Sequence, residues 1–340
     1  MAKKIGRNEY MENEDLLRSE RKYFSGLGFR YFVVSLVFLF GQVGAIFLVR
    51  QLNRDLLERY YIVIGMIPMY ILLIPVLWGL FRNVKYTPIQ RKKFTAGQLI
   101  SAFFISYAFM YIGSIVGTVL NMVICGLTNQ TATNALQELL DSSSMPQTIL
   151  VVVICAPIVE EFIFRKILID RLRKYGDVLA IVISALMFGI YHGNITQFVY
   201  ATLIGLVFGY VYARSGNIKY SIGLHMVINF FGSVVSQFVM DKSGYAQMAT
   251  DMAENPDNSL GIIMQNIGGM ALIFLWGIII FAFMITGIIL FFVNKSKLTF
   301  ESGEVELQRG KRFSTIVINP GAILFLIFWI AMFVVNFIEG

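Results

Sequence analysis

The sequence predicts an all-α, polytopic transmembrane helical bundle of about nine spans. Two observations lead there. Of 340 residues, 57% are apolar and only 14% charged, against about 25% charged in water-soluble domains, so polar surface is too scarce to cover a soluble globule. The apolar residues also gather into nine stretches, most of them near the ~20 residues that a helix needs to cross a bilayer. In order these are Phe29–Val49, Tyr60–Phe81, Leu99–Cys125, Thr148–Ile169, Val178–His192, Phe198–Tyr212, Ile218–Met240, Ile267–Val293 and Gly321–Ile338. The fifth and sixth are short. Their link, Gly193–Gln197, is too brief for a solvated loop, so the join is expected inside the protein at membrane depth.

Charge orients the chain. Basic residues concentrate before and at the start of the first stretch, in Arg82–Lys93, in Lys166–Lys174, at Arg214 and Lys219, and in Lys295–Arg312. Together these hold 23 of the 28 Lys and Arg, whereas the alternate loops hold only Arg50, Arg54, Arg59 and Lys242. The positive-inside rule then predicts an N-in, C-out arrangement. It also accounts for the net charge of +7 by cytoplasmic loops facing anionic lipid, with no nucleic-acid partner. Arg91-Lys92-Lys93 is read as part of that basic belt.

Four stretches follow: a cytoplasmic N-terminal segment (1–28), N-terminal spans with an outer loop (29–147), a helical core (148–240), and a second outer loop with two last spans (241–340). No removable signal peptide is expected, because no short apolar run ends in a small-residue cleavage site. Polar outer loops are expected at 126–147 and 241–266, and the charged 299–314 segment is expected to form a small hairpin or stay flexible. Gly113-x-x-x-Gly117 and Gly205-x-x-x-Gly209 predict close helix contacts. Cys125 and Cys155 lie in apolar stretches and suit neither a disulfide framework nor a thiolate cluster. Asn129-Gln-Thr131 and Asn194-Ile-Thr196 match the glycosylation pattern, but Asn194 is too close to the membrane to serve as an acceptor.

Charges within a membrane span are costly and are functional candidates by default. The fourth stretch carries three, in Glu160-Glu161-Phe-Ile-Phe-Arg165. Glu161 and Arg165 are four apart, hence on one helix face where they can pair. Glu160 points about 100° away and needs another partner. Pro157, three residues earlier, removes a helix hydrogen bond and predicts a distortion beside the pair. The chain has two histidines. His192 closes Phe188-Gly-Ile-Tyr-His192, and His225 shares a face with Asn229 in His225-Met-Val-Ile-Asn229. On the predicted topology Glu160, His192, His225 and Asn229 lie at similar depth. A carboxylate beside an imidazole, screened from bulk water, can hold a water molecule and take its proton. An imidazole and a carboxamide can donate to the oxyanion that forms when that water attacks a carbonyl.

The motifs Glu160-Glu161-x-x-x-Arg165, Phe188-x-x-x-His192 and His225-x-x-x-Asn229 resemble the three signatures of the CPBP family, the CAAX-type or Abi-type intramembrane proteases. Gly205, Gly209, Tyr212, Arg214 and Gly216 resemble its bacterial branch. The resemblance spans about residues 148–235 and implies an intramembrane glutamic endopeptidase in a bacterial-type cell membrane. Its implied substrate is a membrane-associated, lipidated (CAAX-like) or leader-bearing peptide. Among residues, it implies that Glu160 is the general base, that His192 helps to hold the water, and that His225 and Asn229 form the oxyanion hole. Glu161, Arg165 and Phe188 are implied as supporting residues.

No cofactor is expected. The His-Glu-x-x-His zinc signature is absent, although Glu160, His192 and His225 make an alternative set of three zinc ligands. Two other classes compete with the protease: a proton-coupled transporter using Glu160 and the histidines, and a non-catalytic membrane scaffold or immunity protein. Ser184, two turns before His192, is expected to bond its own helix backbone. Oligomeric state is not legible.

Overall fold

A computed structural model describes residues 7–128, 139–140 and 142–339 of the chain. The Asn129–Thr131 pattern, part of the first outer loop and the extreme N-terminus therefore lie outside the described residues. Among the described residues all regular structure is helical. The long helices are α1 (Arg7–Leu52), α2 (Tyr61–Phe81), α3 (Ala96–Thr128), α4 (Met145–Tyr175), α5 (Asp177–Ile190), α6 (Ile195–Ser215), α7 (Ile218–Ser243), α8 (Ile267–Asn294) and α9 (Pro320–Glu339). They correspond one to one with the nine apolar stretches. Eight are long and apolar enough to cross a membrane. The exception is α5, whose 14 residues reach only about 21 Å at 1.5 Å per residue, short of the ~30 Å hydrocarbon layer.

The ends of these helices are set by local chemistry. Asn194 caps α6 by accepting from the Gln197 amide at 2.8 Å, which occupies the Asn194 side chain. At the other end of α6, Gly216 adopts a left-handed φ of 60° and Asn217 then caps α7 through the Lys219 amide, so two residues turn the chain between antiparallel helices. From Arg7 onward the polar N-terminal segment is part of α1, which runs through to Leu52 without a break. The segment between α7 and α8 contains two short helices, Tyr245–Glu254 and Ser259–Gln265. The 299–314 segment forms no hairpin. It is pinned to the α4–α5 turn by Asp177 N to Glu301 O (3.0 Å) and Val305 N to Lys174 O (2.9 Å).

Five basic segments converge at one end of the bundle. Glu301 pairs with Arg173, with Lys92 at 3.4 Å and with Arg214 at 3.7 Å. Lys174 pairs with Glu20 of α1 at 2.9 Å, and Arg21 donates to the Ile318 carbonyl just before α9. The opposite end holds Arg59, Gln147 and Gln237, tied by Gln147 Nε2 to Arg59 O (2.8 Å) and Gln237 Nε2 to Ser143 O (3.0 Å). Large apolar side chains on the outside of the bundle, such as Phe274, Leu275 and Phe281 of α8, are exposed, as a lipid-facing surface requires.

The core is centred on α4, α5, α6 and α7, with Phe164, Leu168, Phe188, Ile204, Phe208 and Ile228 buried together. The predicted close contacts occur. A Cβ on Gly113 would sit 2.5 Å from Tyr200 Cα, and one on Gly117 2.7 Å from Thr196 O, so α3 lies directly on the α6 backbone. Gly113→Leu is therefore expected to cost at least the 1–3 kcal/mol of an overpacked core and to lower the amount of folded protein. Gly223→Ala, with open space around the new methyl, is expected to be neutral or stabilising by up to about 1 kcal/mol. Thermal unfolding of the two purified variants checks the contrast.

Candidate active site

The site is built on an irregular α4. Its turns are π-helical over Ile149–Cys155 and Phe162–Ile169, on either side of α-helical Ala156–Glu161. The Ala156 amide, for instance, reaches back five residues to Val151 O. Pro157 has no amide to offer, and its ring crowds the carbonyl four residues before it; the wider turn sits where that ring would clash. Widened turns re-aim backbone carbonyls, and side chains of three other helices take them up. Asn229 of α7 donates to Val152 O at 2.9 Å, Tyr31 of α1 to Ile163 O at 2.8 Å, and Ser184 of α5 to Phe164 O at 2.9 Å. The Ser184 bond corrects the expectation of a bond within its own helix: the nearest needy acceptor is on α4.

These bonds fix how α4 presents its charges. Glu161 and Arg165 pair as predicted, Oε1 to Nη1 at 3.0 Å, with both side chains fully buried. The guanidinium lies over the Phe188 ring at 4.4 Å and near the Phe208 ring at 5.4 Å, so aromatic faces supply part of what water no longer does. Nη2 reaches the Gly205 carbonyl at 3.4 Å, which ties α4 to the glycine stripe of α6.

His225 lies between the two glutamates. Its Nδ1 is 3.0 Å from Glu161 Oε1 and its Nε2 is 3.7 Å from Glu160 Oε2. An ionised carboxylate only accepts, so Nδ1 carries the proton on the Glu161 side. That fixes the tautomer and aims Nε2 at Glu160. A separation of 3.7 Å is too long for a direct hydrogen bond. The order Arg165, Glu161, His225, Glu160 thus runs from a closed ion pair to an open carboxylate. Exposure marks the same direction: the Glu160 side chain is 24% exposed, against 3% for His225 and 0% for Glu161 and Arg165. Of the four, only Glu160 is accessible to water or a substrate.

His192 sits in the turn after α5, not on a helix. Its Nδ1 contacts the Phe188 carbonyl at 2.9 Å, leaving Nε2 uncommitted. The Phe188 ring stands edge-on to both imidazoles, 5.1 Å from His192 and 5.6 Å from His225. Among the described residues, no three His, Cys, Asp or Glu side chains are grouped as metal ligands. Asn229 shares a face with His225, but one of its amide hydrogens is engaged on Val152.

Sequence reasoning missed several residues here. Tyr70 of α2 and Tyr200 of α6 both lie within Coulombic reach of Glu160, and the Tyr70 hydroxyl is buried without a hydrogen-bond partner among the described residues. Tyrosines in apolar stretches are ordinarily interfacial; Tyr70, midway along its helix, was the detectable exception. The His192 turn is also braced by helices without any motif. Asn336 of α9 donates to Gly193 O at 3.0 Å, and Trp329 Nε1 donates to Ser35 Oγ, which in turn bonds the Tyr191 hydroxyl. Gly193 has a φ of 68°, and a Cβ there would meet Asn336 Nδ2 at 2.9 Å, so glycine suits both the turn and the brace.

Comparison with known proteins points to the same segment. Residues 142–231 match the family model described as type II CAAX prenyl endopeptidase Rce1-like. The chain is 35% identical over 118 residues to a Bacillus subtilis (strain 168) protein named "Putative membrane peptidase YdiL", covering 34% of this chain and 48% of that protein. The chain thus spans about half the length of the curated relative it matches. No solved structure matches it. The matched residues include every member of the cluster built on α4, α5 and α7, so the similarity to the Rce1-like family falls on the segment that carries the site.

Proposed function

We propose that this chain is an intramembrane endopeptidase in which Glu160 activates a water molecule against a peptide bond of a membrane-associated substrate. The observation that carries the reading is the graded set Arg165, Glu161, His225, Glu160, in which a fully buried ion pair orients an imidazole toward the one accessible carboxylate. The same logic orients the base of other hydrolases through a buried carboxylate. A relative named as a membrane peptidase and the Rce1-like match support the same class of reaction.

Glu160 takes a proton from water as the oxygen adds to the scissile carbonyl carbon. The carbonyl oxygen becomes an oxyanion; with its Nδ1–H held on Glu161, His225 donates to it from Nε2 only in the doubly protonated form. The second amide hydrogen of Asn229 is the next candidate, and His192 Nε2 is free to hold the water. Collapse of the intermediate breaks the C–N bond, and the proton on Glu160 passes to the leaving amine. The products are one carboxylate and one amine terminus. Substrate class remains the CAAX-like or leader-bearing peptide implied by the motifs, in a bacterial-type plasma membrane with the N-terminus inside.

Asn229 offers a separable check. Asn229→Ala strands the Val152 carbonyl, which is expected to cost about 1–3 kcal/mol of stability. If Asn229 also stabilises the oxyanion, turnover falls by roughly 10²-fold at temperatures where the variant is fully folded. A loss of stability with unchanged turnover would remove Asn229 from the oxyanion hole.

The reaction itself is tested by comparing membrane-bound and released peptides from cells carrying wild type or Glu160→Gln at matched expression. New amino and carboxyl termini seen only with wild type are expected, and their sequences identify the substrate. A cell phenotype that survives Glu160→Gln with an unchanged peptide profile would favour the scaffold reading. Ion or solute flux lost in that variant without any cleavage would favour the transporter.

A further inference from the structure

At the basic end of the bundle, away from the glutamates, a cavity of about 1080 Å³ lies between α1, the 83–87 loop, the end of α4 and the start of α9. Seven of its lining residues are Lys or Arg, and Glu304 is the only acidic one among the described lining residues. Three of these cations are ordered by backbone carbonyls and, among the described residues, not neutralised by a carboxylate. Arg21 donates to Ile318 O, Arg30 to Leu80 O and Gly26 O, and Arg171 to Phe81 O and Ile167 O. Backbone carbonyls fix a guanidinium in place without cancelling its charge. Arg171 is only 9% exposed, and among the described residues its Nε has no hydrogen-bond partner and no carboxylate forms an ion pair with it. Among the cavity's cations, half-buried Lys174 pairs with Glu20 and exposed Arg18 with Glu14. Lys22 and Lys85 are exposed at the rim.

The wall toward the bilayer is apolar. Phe29 of α1 is 50% exposed and Leu324 of α9 is 41% exposed, and both line the cavity. A fixed cationic cradle that opens sideways onto lipid-facing apolar side chains matches an ion with a hydrocarbon tail. We propose that this cavity binds the phosphate headgroup of one anionic phospholipid, with its acyl chains leaving past Phe29 and Leu324. A soluble phosphate would use the cradle but not the apolar wall.

Native mass spectrometry of the full purified chain titrated with phosphatidylglycerol or phosphatidylcholine tests this. One phosphatidylglycerol per chain is expected to bind more tightly than phosphatidylcholine by at least tenfold. Lys22→Gln with Lys85→Gln, both solvent-exposed and therefore safe for folding, should weaken it by about 30-fold, at roughly fivefold per cation near a membrane surface. Lys93→Gln with Arg309→Gln removes the same charge outside the cavity and should leave binding unchanged. Equal binding of the two lipids, or an equal loss in the control pair, would overturn the proposal. Full displacement of the lipid by millimolar glycerol 3-phosphate would overturn its lipid part and leave a site for soluble phosphate.

Discussion

Glu160→Gln is expected to lower peptide cleavage by about 10³-fold or more while leaving the protein folded. General-base contributions of 10²–10⁴ set the scale. The amide keeps the shape of the carboxylate and loses only its ability to take a proton. Stability should change by no more than about 1 kcal/mol, because Glu160 makes no hydrogen bond among the described residues and its one charged contact, to His225, is long at 3.7 Å. Glu160→Asp retains the base but withdraws it by one methylene, so an intermediate loss is expected. Thermal unfolding measured alongside turnover separates the two effects.

Arg165→Met is expected to act in the opposite way, through folding. Removing one partner of a buried ion pair leaves the other uncompensated and costs about 3–5 kcal/mol, a large part of the 5–15 kcal/mol that holds a typical protein folded. Glu161 would be left buried with no cation, and the orientation of His225 would go with it. Membrane abundance should fall steeply. Replacing the pair together, Glu161→Leu with Arg165→Met, should restore much of the abundance, since apolar side chains of similar volume often match a buried pair. Activity should not return, because His225 Nδ1 then has no carboxylate to bond. A stable, active Arg165→Met variant would show that the pair does not position the imidazole.

The sequence made some of this legible and hid the rest for identifiable reasons. Helix periodicity is local, so the Glu161–Arg165 pair and the shared face of His225 and Asn229 followed from spacing alone. Composition is also local, and the nine apolar stretches reappear as the nine long helices. The shortness of α5 was visible in its sequence, and its consequence is a histidine held in a turn. Partner choice between helices is not local. Nothing in the spacing told that His225 rather than His192 would face Glu160, or that Asn229 would be tied to Val152. The π-helical turns of α4 arise from its packing around Pro157, and they decide which carbonyls Tyr31, Ser184 and Asn229 meet. Asn336 and Trp329 carry no motif, and only the placement of α9 beside α1 gives them a function in bracing the His192 turn. Glu301, in a segment that looked free, collects three cations from three parts of the chain.

The most direct measurement uses purified wild type and Glu160→Gln reconstituted in vesicles, incubated with membrane peptides recovered from cells that lack the protein. Wild type should generate new peptide termini at a rate proportional to its amount, and Glu160→Gln, equally folded, should generate none above background. Equal rates from both proteins would contradict the assignment of Glu160 as the base.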